Sequence, residues 1–286
     1  YFNMKRIFLF ILISICCTNT SYQGLLFPIN TFEVLTNNSD YHIFKNMILS
    51  KSKYNSFSSS YISFPNDISS NTLIYDYKIT NLRMKSGIQI INFGNIEDSE
   101  TGYSFSSQDY IFSHQFSKKI YHQLYSSVEI NYLYSKIDNF KSSILTTKIN
   151  VFYKLNRFIF NIFLDNYGKV INSYTIYKEK IPELYGYSLL VKPKNINLLF
   201  SLKQEFYVNT SNLNISAELL LKRSSIFIGF SSIAQDLYFG DFYEDFFTGT
   251  GFGLKTQYKK FNISLGYQNL GPLGSISSLT VNKLIN

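Results

Sequence analysis

Residues 124–165 read LYSSVEINYLYSKIDNFKSSILTTKINVFYKLNRFIFNIFLD, and in them apolar side chains return at every second position. Val128, Ile130, Tyr132 and Tyr134 form one series. Leu145, Thr147, Ile149, Val151 and Tyr153 form the next, and Phe158, Phe160, Ile162 and Leu164 the third. A period of two marks β-strands. The positions between are mostly polar or small (Ser127, Glu129, Asn131, Ser135, Thr146, Lys148, Asn150), so each strand has one apolar and one polar face. Each run is also about ten residues or longer, the length a tilted strand needs to cross a bilayer.

Carried along the chain, the same reading predicts an all-β fold, a transmembrane antiparallel β-barrel of about 14 strands. The strands are expected near residues 55–63, 71–80, 85–94, 107–116, 121–135, 142–153 and 157–165, then near 183–191, 195–206, 211–221, 225–233, 249–258, 261–268 and 277–285. Composition agrees. The 286 residues include 24 Tyr and 27 Phe but no Trp, and mean hydropathy is only -0.04. Many aromatics with moderate hydropathy suit a barrel, because half of every strand faces a polar lumen. Past residue 15 no uninterrupted apolar stretch reaches helix-spanning length, which argues against a helical membrane protein.

Met4 is the expected start, followed by Lys5, Arg6 and an apolar run from Ile7 to Ile15, which reads as a signal peptide over residues 1–20. Cys16 and Cys17, the only cysteines of the chain, lie at its end. Residues 21–54 alternate poorly and are expected to form an N-terminal plug, a short helix or a periplasmic lead-in. The barrel is expected over residues 55–286.

The links between strands are predicted to differ by rim. Short turns fall near 81–84, 117–120, 154–156, 192–194, 222–224 and 259–260, and longer links near 95–106, 166–182 and 234–248. The short ones or their edges hold Arg83, Lys85, Lys118, Lys119, Lys154, Arg157, Lys192, Lys194, Lys222, Arg223, Lys259 and Lys260; the longer ones hold Glu97, Asp98, Glu100, Asp138, Glu179, Asp236, Asp241, Glu244 and Asp245. Such a barrel has periplasmic turns and outer loops, with basic residues reaching lipid phosphates at one rim. That distribution accounts for much of the net charge of +8 without a nucleic-acid partner.

No catalytic constellation is visible. His42, His114 and His122 are the only histidines, with neither metal spacing nor a nucleophile motif beside them, and no enzyme activity or cofactor is expected. The acidic link bearing Asp236, Asp241, Glu244 and Asp245 reads either as a solvated outer loop or as oxygen ligands for calcium. The same link carries Tyr238, Phe239, Phe242, Tyr243, Phe246 and Phe247. It is read either as a partner-contact loop or as a cap or aromatic girdle of the barrel itself.

Several stretches resemble the PorV/PorQ outer-membrane proteins of type IX secretion, related in architecture to the FadL barrels. Phe44-Lys45-Asn46-Met47-Ile48-Leu49-Ser50 is similar to that family's aromatic-Asn-Pro-Ala-Leu-Leu-Ser element, with Lys45-Asn46 replacing Asn-Pro. Phe93-Gly94-Asn95-Ile96 and Gly102-Tyr103-Ser104-Phe105-Ser106-Ser107-Gln108-Asp109 follow. Tyr132-Leu133-Tyr134-Ser135-Lys136-Ile137 resembles a further segment, and Gly251-Phe252-Gly253-Leu254 through Asn269-Leu270-Gly271-Pro272-Leu273-Gly274 the closing hairpin. The resemblance implies a non-enzymatic accessory of type IX protein secretion or surface attachment in the bacterial outer membrane. Its partners would be outer-membrane lipid and type IX translocon or secreted cargo proteins. The alternative is a FadL-like transporter of hydrophobic small molecules.

Overall fold

The computed structural model describes residues 22–36, 55–97, 104–176, 179–207, 210–232 and 247–285. Fourteen antiparallel strands, counted among the described residues, close into one barrel in which each strand pairs with its sequence neighbours and β1 pairs with β14. They are β1 (Asn55–Ser63), β2 (Ser69–Ile79), β3 (Leu82–Glu97), β4 (Ser104–Tyr121), β5 (Leu124–Ile137), β6 (Phe140–Leu155) and β7 (Phe158–Asn172). β8 (Leu184–Val191), β9 (Leu198–Phe206), β10 (Ser211–Leu220), β11 (Ser224–Ser231), β12 (Thr250–Tyr258), β13 (Phe261–Asn269) and β14 (Ser275–Ile285) complete the wall.

The alternation decides which face is which. Val128, Ile130, Tyr132, Ile149, Val151 and Phe160 stand exposed on the outer face, where hydrocarbon covers them. Ser127, Asn131, Ser135, Thr146, Lys148 and Asn150 point inward and are buried. No described helix is long and apolar enough to span a membrane.

The expected difference between the rims holds in part. Five of the connections are two-residue turns whose first residue has positive φ: Thr80, His122, Asp138, Asn156 and Lys259. That geometry matches the right-handed twist of paired strands. One of these, at Asp138, lies on the loop rim, so the longer polar link expected there collapses into a tight hairpin. The link expected over 166–182 also shortens, because β7 continues to Asn172 past a register shift between Thr147 and Ile149 of β6. Arg83 and Lys85 depart from the basic-rim reading. β3 begins at Leu82, so both lie within the strand and on the same inward row as buried Gln89 and Ile91, where Arg83 binds Asp76 through two hydrogen bonds of 2.7 and 2.9 Å. Lys118, Lys119, Arg157, Lys192, Lys194, Lys222, Arg223, Lys259 and Lys260 are exposed at the turn rim as expected. Asp98, Glu100, Asp236, Asp241, Glu244 and Asp245 lie outside the described residues.

Both ends of the barrel sheet, Asn55 and Ile285, meet at the turn rim. By the rule for outer-membrane barrels that rim is periplasmic. Residues 22–286 contain no cysteine, so single cysteines can test this directly. Asn139→Cys is expected to react with an impermeant thiol reagent on intact cells, and Lys260→Cys only after the outer membrane is permeabilised. The reverse pattern overturns the orientation.

Candidate functional site

The lumen is occupied by residues 22–36. A 3-10 turn (Gln23–Leu26) leads through Pro28 to a short helix, α1 (Thr31–Thr36), packed against the inner faces of β10 to β14. Asn30 caps the helix: its Oδ1 accepts from the backbone N–H of Phe32 at 2.9 Å and of Glu33 at 3.2 Å. Glu33 answers from the third helical position, its carboxylate accepting from Ile29 N–H at 2.9 Å and from Asn30 Nδ2 at 3.2 Å. This reciprocal arrangement is a capping box, a signal present in the sequence as Asn30-Thr31-Phe32-Glu33 and easy to pass over in a helix of six residues.

A helix so short has no stability of its own and is held by its seat. The seat is a patch of glycines on the inner wall. A Cβ on Gly229 would lie 1.6 Å from the carbonyl oxygen of Leu35, and one on Gly253 2.2 Å from a Leu35 methyl. Phe32 meets the Phe227 ring edge-on at 4.5 Å, and Thr31 N–H donates to Thr280 Oγ1 at 3.0 Å. Lys255 Nζ lies over the Phe32 ring at 5.2 Å.

Three layers fill the barrel from one rim to the other. Toward the loops, Tyr22, Ile91, Leu133 and Ile144 are fully buried in an apolar core joined by Leu25, Phe27 and Tyr174. Tyr22 also donates its hydroxyl to Glu179 at 2.7 Å and hydrogen-bonds Ser142 Oγ at 2.8 Å, which fastens the plug to the link after β7. Burial pushes that phenol well above the usual tyrosine range. Toward the turns, Phe32 and Leu35 pack with Tyr125, Phe152, Leu190 and Phe227.

Between these cores lies a charged belt. Lys148 pairs with Asp165 across β6 and β7 at 2.8 Å, and Lys203 pairs with Glu205 along β9 at 2.7 Å. Both ammonium groups sit over the buried Phe163 ring, 5.8 and 5.0 Å from its centre. Lys85 faces Glu129 at 3.7 Å. Paired in this way, charges with little water contact avoid most of the cost of an isolated ion. Beside the belt lies a cavity of about 170 Å³, bordered by the plug's apolar run from Leu25 to Ile29 and by Ile74, Ile111 and Leu184. A second, of about 100 Å³, lies nearer the turn rim, by Ser56, Asp76, Arg83 and Asn282. Ile29, Ile74 and Lys85 border both cavities.

Of the aromatic link read as a partner-contact loop, Tyr238, Phe239, Phe242, Tyr243 and Phe246 lie outside the described residues. Phe247 is described and stands exposed just before β12. His114 lies on the outward row of β4, where it hydrogen-bonds Ser86 at 2.7 Å. No group of His, Cys, Asp and Glu suited to a metal occurs among the described residues.

A closed, internally plugged barrel with an apolar outer face is a bacterial outer-membrane β-barrel. No family model and no curated protein matches the chain. Among solved structures it is similar to a deletion mutant of the monoaromatic hydrocarbon channel TodX, with TM-score 0.58 and 10% identity over 89% of this chain and 97% of that one. It is also similar to the Pseudomonas putida toluene transporter TodX, with TM-score 0.53 and 8% identity over 82% and 88% of the two chains. A Pseudomonas aeruginosa FadL homologue gives TM-score 0.52 and 8% identity over 91% and 95%. The architecture is therefore that of the FadL-like barrels.

Proposed function

We propose that this protein is a non-enzymatic outer-membrane transporter of hydrophobic small molecules. The observation that carries the reading is the pair of lumen cavities that share Ile29, Ile74 and Lys85 in their walls, with an apolar strip of the plug along the larger one. The larger cavity sets that apolar strip against the paired charges of Lys148 with Asp165 and Lys203 with Glu205, a lining that suits a small molecule with an apolar body and a polar end. The names of TodX as a toluene transporter and hydrocarbon channel support the reading on architecture alone. The test is entry of the apolar dye N-phenyl-1-naphthylamine into cells carrying equal amounts of the parent or of Ile111→Trp, which fills the cavity. The parent is expected to admit the dye faster, and equal rates overturn the reading.

A second reading, a type IX secretion or surface-attachment accessory of the PorV/PorQ type, is favoured by a different observation. The loop-side half of the lumen is closed by fully buried Tyr22, Ile91, Leu133 and Ile144, which suits a barrel that displays a surface better than one that conducts. Affinity capture from native outer membranes separates the two. Recovery of translocon or cargo proteins supports the accessory, and their absence together with dye entry supports the transporter.

A further inference from the structure

We infer that the outer wall of β11 to β14 and β1 holds one acyl chain of a lipid from the loop-side leaflet in a dedicated groove. The inference stands apart from the transport reading. Pairing registers align Ile226, Leu254, Leu265, Leu279 and Tyr61 as one outward row across these strands. Phe252 and Tyr267 belong to the neighbouring outward row, their rings 5.4 Å apart, and the row then drops to Ser277 and Ser63. Between the rows the inward positions are Gly253, Gly266 and Ser278, which leave bare backbone as the floor of a groove of about 550 Å³.

Position and polarity decide the occupant. Tyr61 lies near the loop-rim end of β1 and Tyr267 near that of β13, whereas Ile226 lies near the turn-rim end of β11, so the groove crosses the wall obliquely from the loop-side interface inward. Its loop-side end offers the hydroxyls of Tyr61, Tyr267, Ser63 and Ser277, and the rest is lined by hydrocarbon. A phenol at the interface and an apolar channel behind it match a lipid whose head stays at the surface while its chain lies inward. Four interstrand spacings give a length of roughly 19 Å, enough for an extended acyl chain of ordinary length. The groove is continuous with the lipid-covered face of an outer-membrane barrel, so hydrocarbon is already the medium that meets it.

The chain contains no tryptophan, so an inserted one reports alone. Phe252→Trp places a reporter on the groove wall with little change of shape, Tyr267→Trp is a second reporter on the facing strand, and Ile162→Trp marks the exposed face of β7 on the opposite side. Each purified barrel is titrated in detergent with a phospholipid brominated on its acyl chains, which quenches indole emission on contact. Half-maximal quenching is expected at a lipid mole fraction about tenfold lower for the two groove reporters than for Ile162→Trp, the ratio of a preferentially held chain to bulk lipid. Quenching that follows mole fraction identically at all three positions overturns the inference. So does protection of both groove reporters from quencher, the result expected if a second copy of the chain covers the groove.

Discussion

Gly229→Val is expected to unseat the plug helix while leaving the barrel closed. Even the first atom of a side chain at this position would overlap the Leu35 carbonyl at 1.6 Å, and the obstacle is backbone, which cannot rotate away as a side-chain end can. The wall cannot yield either, since β11 is paired on both sides. The helix must therefore move, and Phe32, Val34 and Leu35 lose their buried contacts. At roughly 1.5–3 kcal/mol for each fully buried apolar side chain, losing even two of them weakens seating by about 3 kcal/mol or more. The measurement uses Val34→Cys, a buried position in a segment otherwise without cysteine. Its reaction with a soluble thiol reagent is expected to be roughly 100-fold faster with Gly229→Val than without, since each 1.4 kcal/mol is a factor of ten. Ile228→Val, at the outward-facing neighbour, is the control and should change nothing. A Gly229→Val barrel that shows the parent's heat-dependent gel mobility and the parent's labelling rate would sink the account of the seat.

The contrast between Gly229 and Ile228 also explains what the sequence could and could not disclose. Ile228 belongs to an alternating run, and the alternation is local: it follows from the pleat of one strand meeting hydrocarbon on one side. For that reason the strands of residues 124–165, and the barrel with them, were readable without a structure. The roles of Gly229, Gly251, Gly253 and Gly266 depend instead on a helix some 200 residues earlier, and nothing near them in the chain announces it. Lys85 makes the same point from another side. A lysine close to a turn reads alike whether it reaches lipid phosphates or enters the lumen, and its place on the inward row of Gln89 and Ile91 settles which face it takes. The charged belt joins Glu33, Lys85, Lys148 and Lys203 from separate elements, so no spacing rule could have found it. The capping box is the exception. Asn30 and Glu33 stand three apart, as the motif requires, so this helix start is written locally in the chain although the weak periodicity around it gave no reason to look for one.

Seating of the plug is expected to weaken as pH rises, and Glu33 is the reason. The carboxyl is buried beside the larger lumen cavity, and burial pushes its pKa above the ordinary glutamate value of 4.5. The ammonium groups of Lys85 and Lys148 and the N–H of Ile29 draw it down without cancelling that cost, and Glu129 adds to the rise. The sign follows from which state holds the proton more tightly. With the plug seated the group binds its proton more strongly than with the plug released, so the stabilisation is complete below about pH 4.5 and is lost as pH climbs through the raised value. Glu33→Gln keeps an oxygen to accept from Ile29 N–H and removes the charge, so it should behave as the protonated form at every pH. The readout is again labelling of Val34→Cys, taken as the ratio of the rate in the parent to the rate in Glu33→Gln, which cancels the pH dependence of the thiol. That ratio is expected to stay level in acid and to increase steadily above pH 4.5, as the ionised carboxylate makes the seated plug costlier to hold. A ratio that does not change between acid and neutral pH means that Glu33 keeps one charge state whether the plug is seated or released. The buried carboxyl would then be a cap for α1 and nothing more.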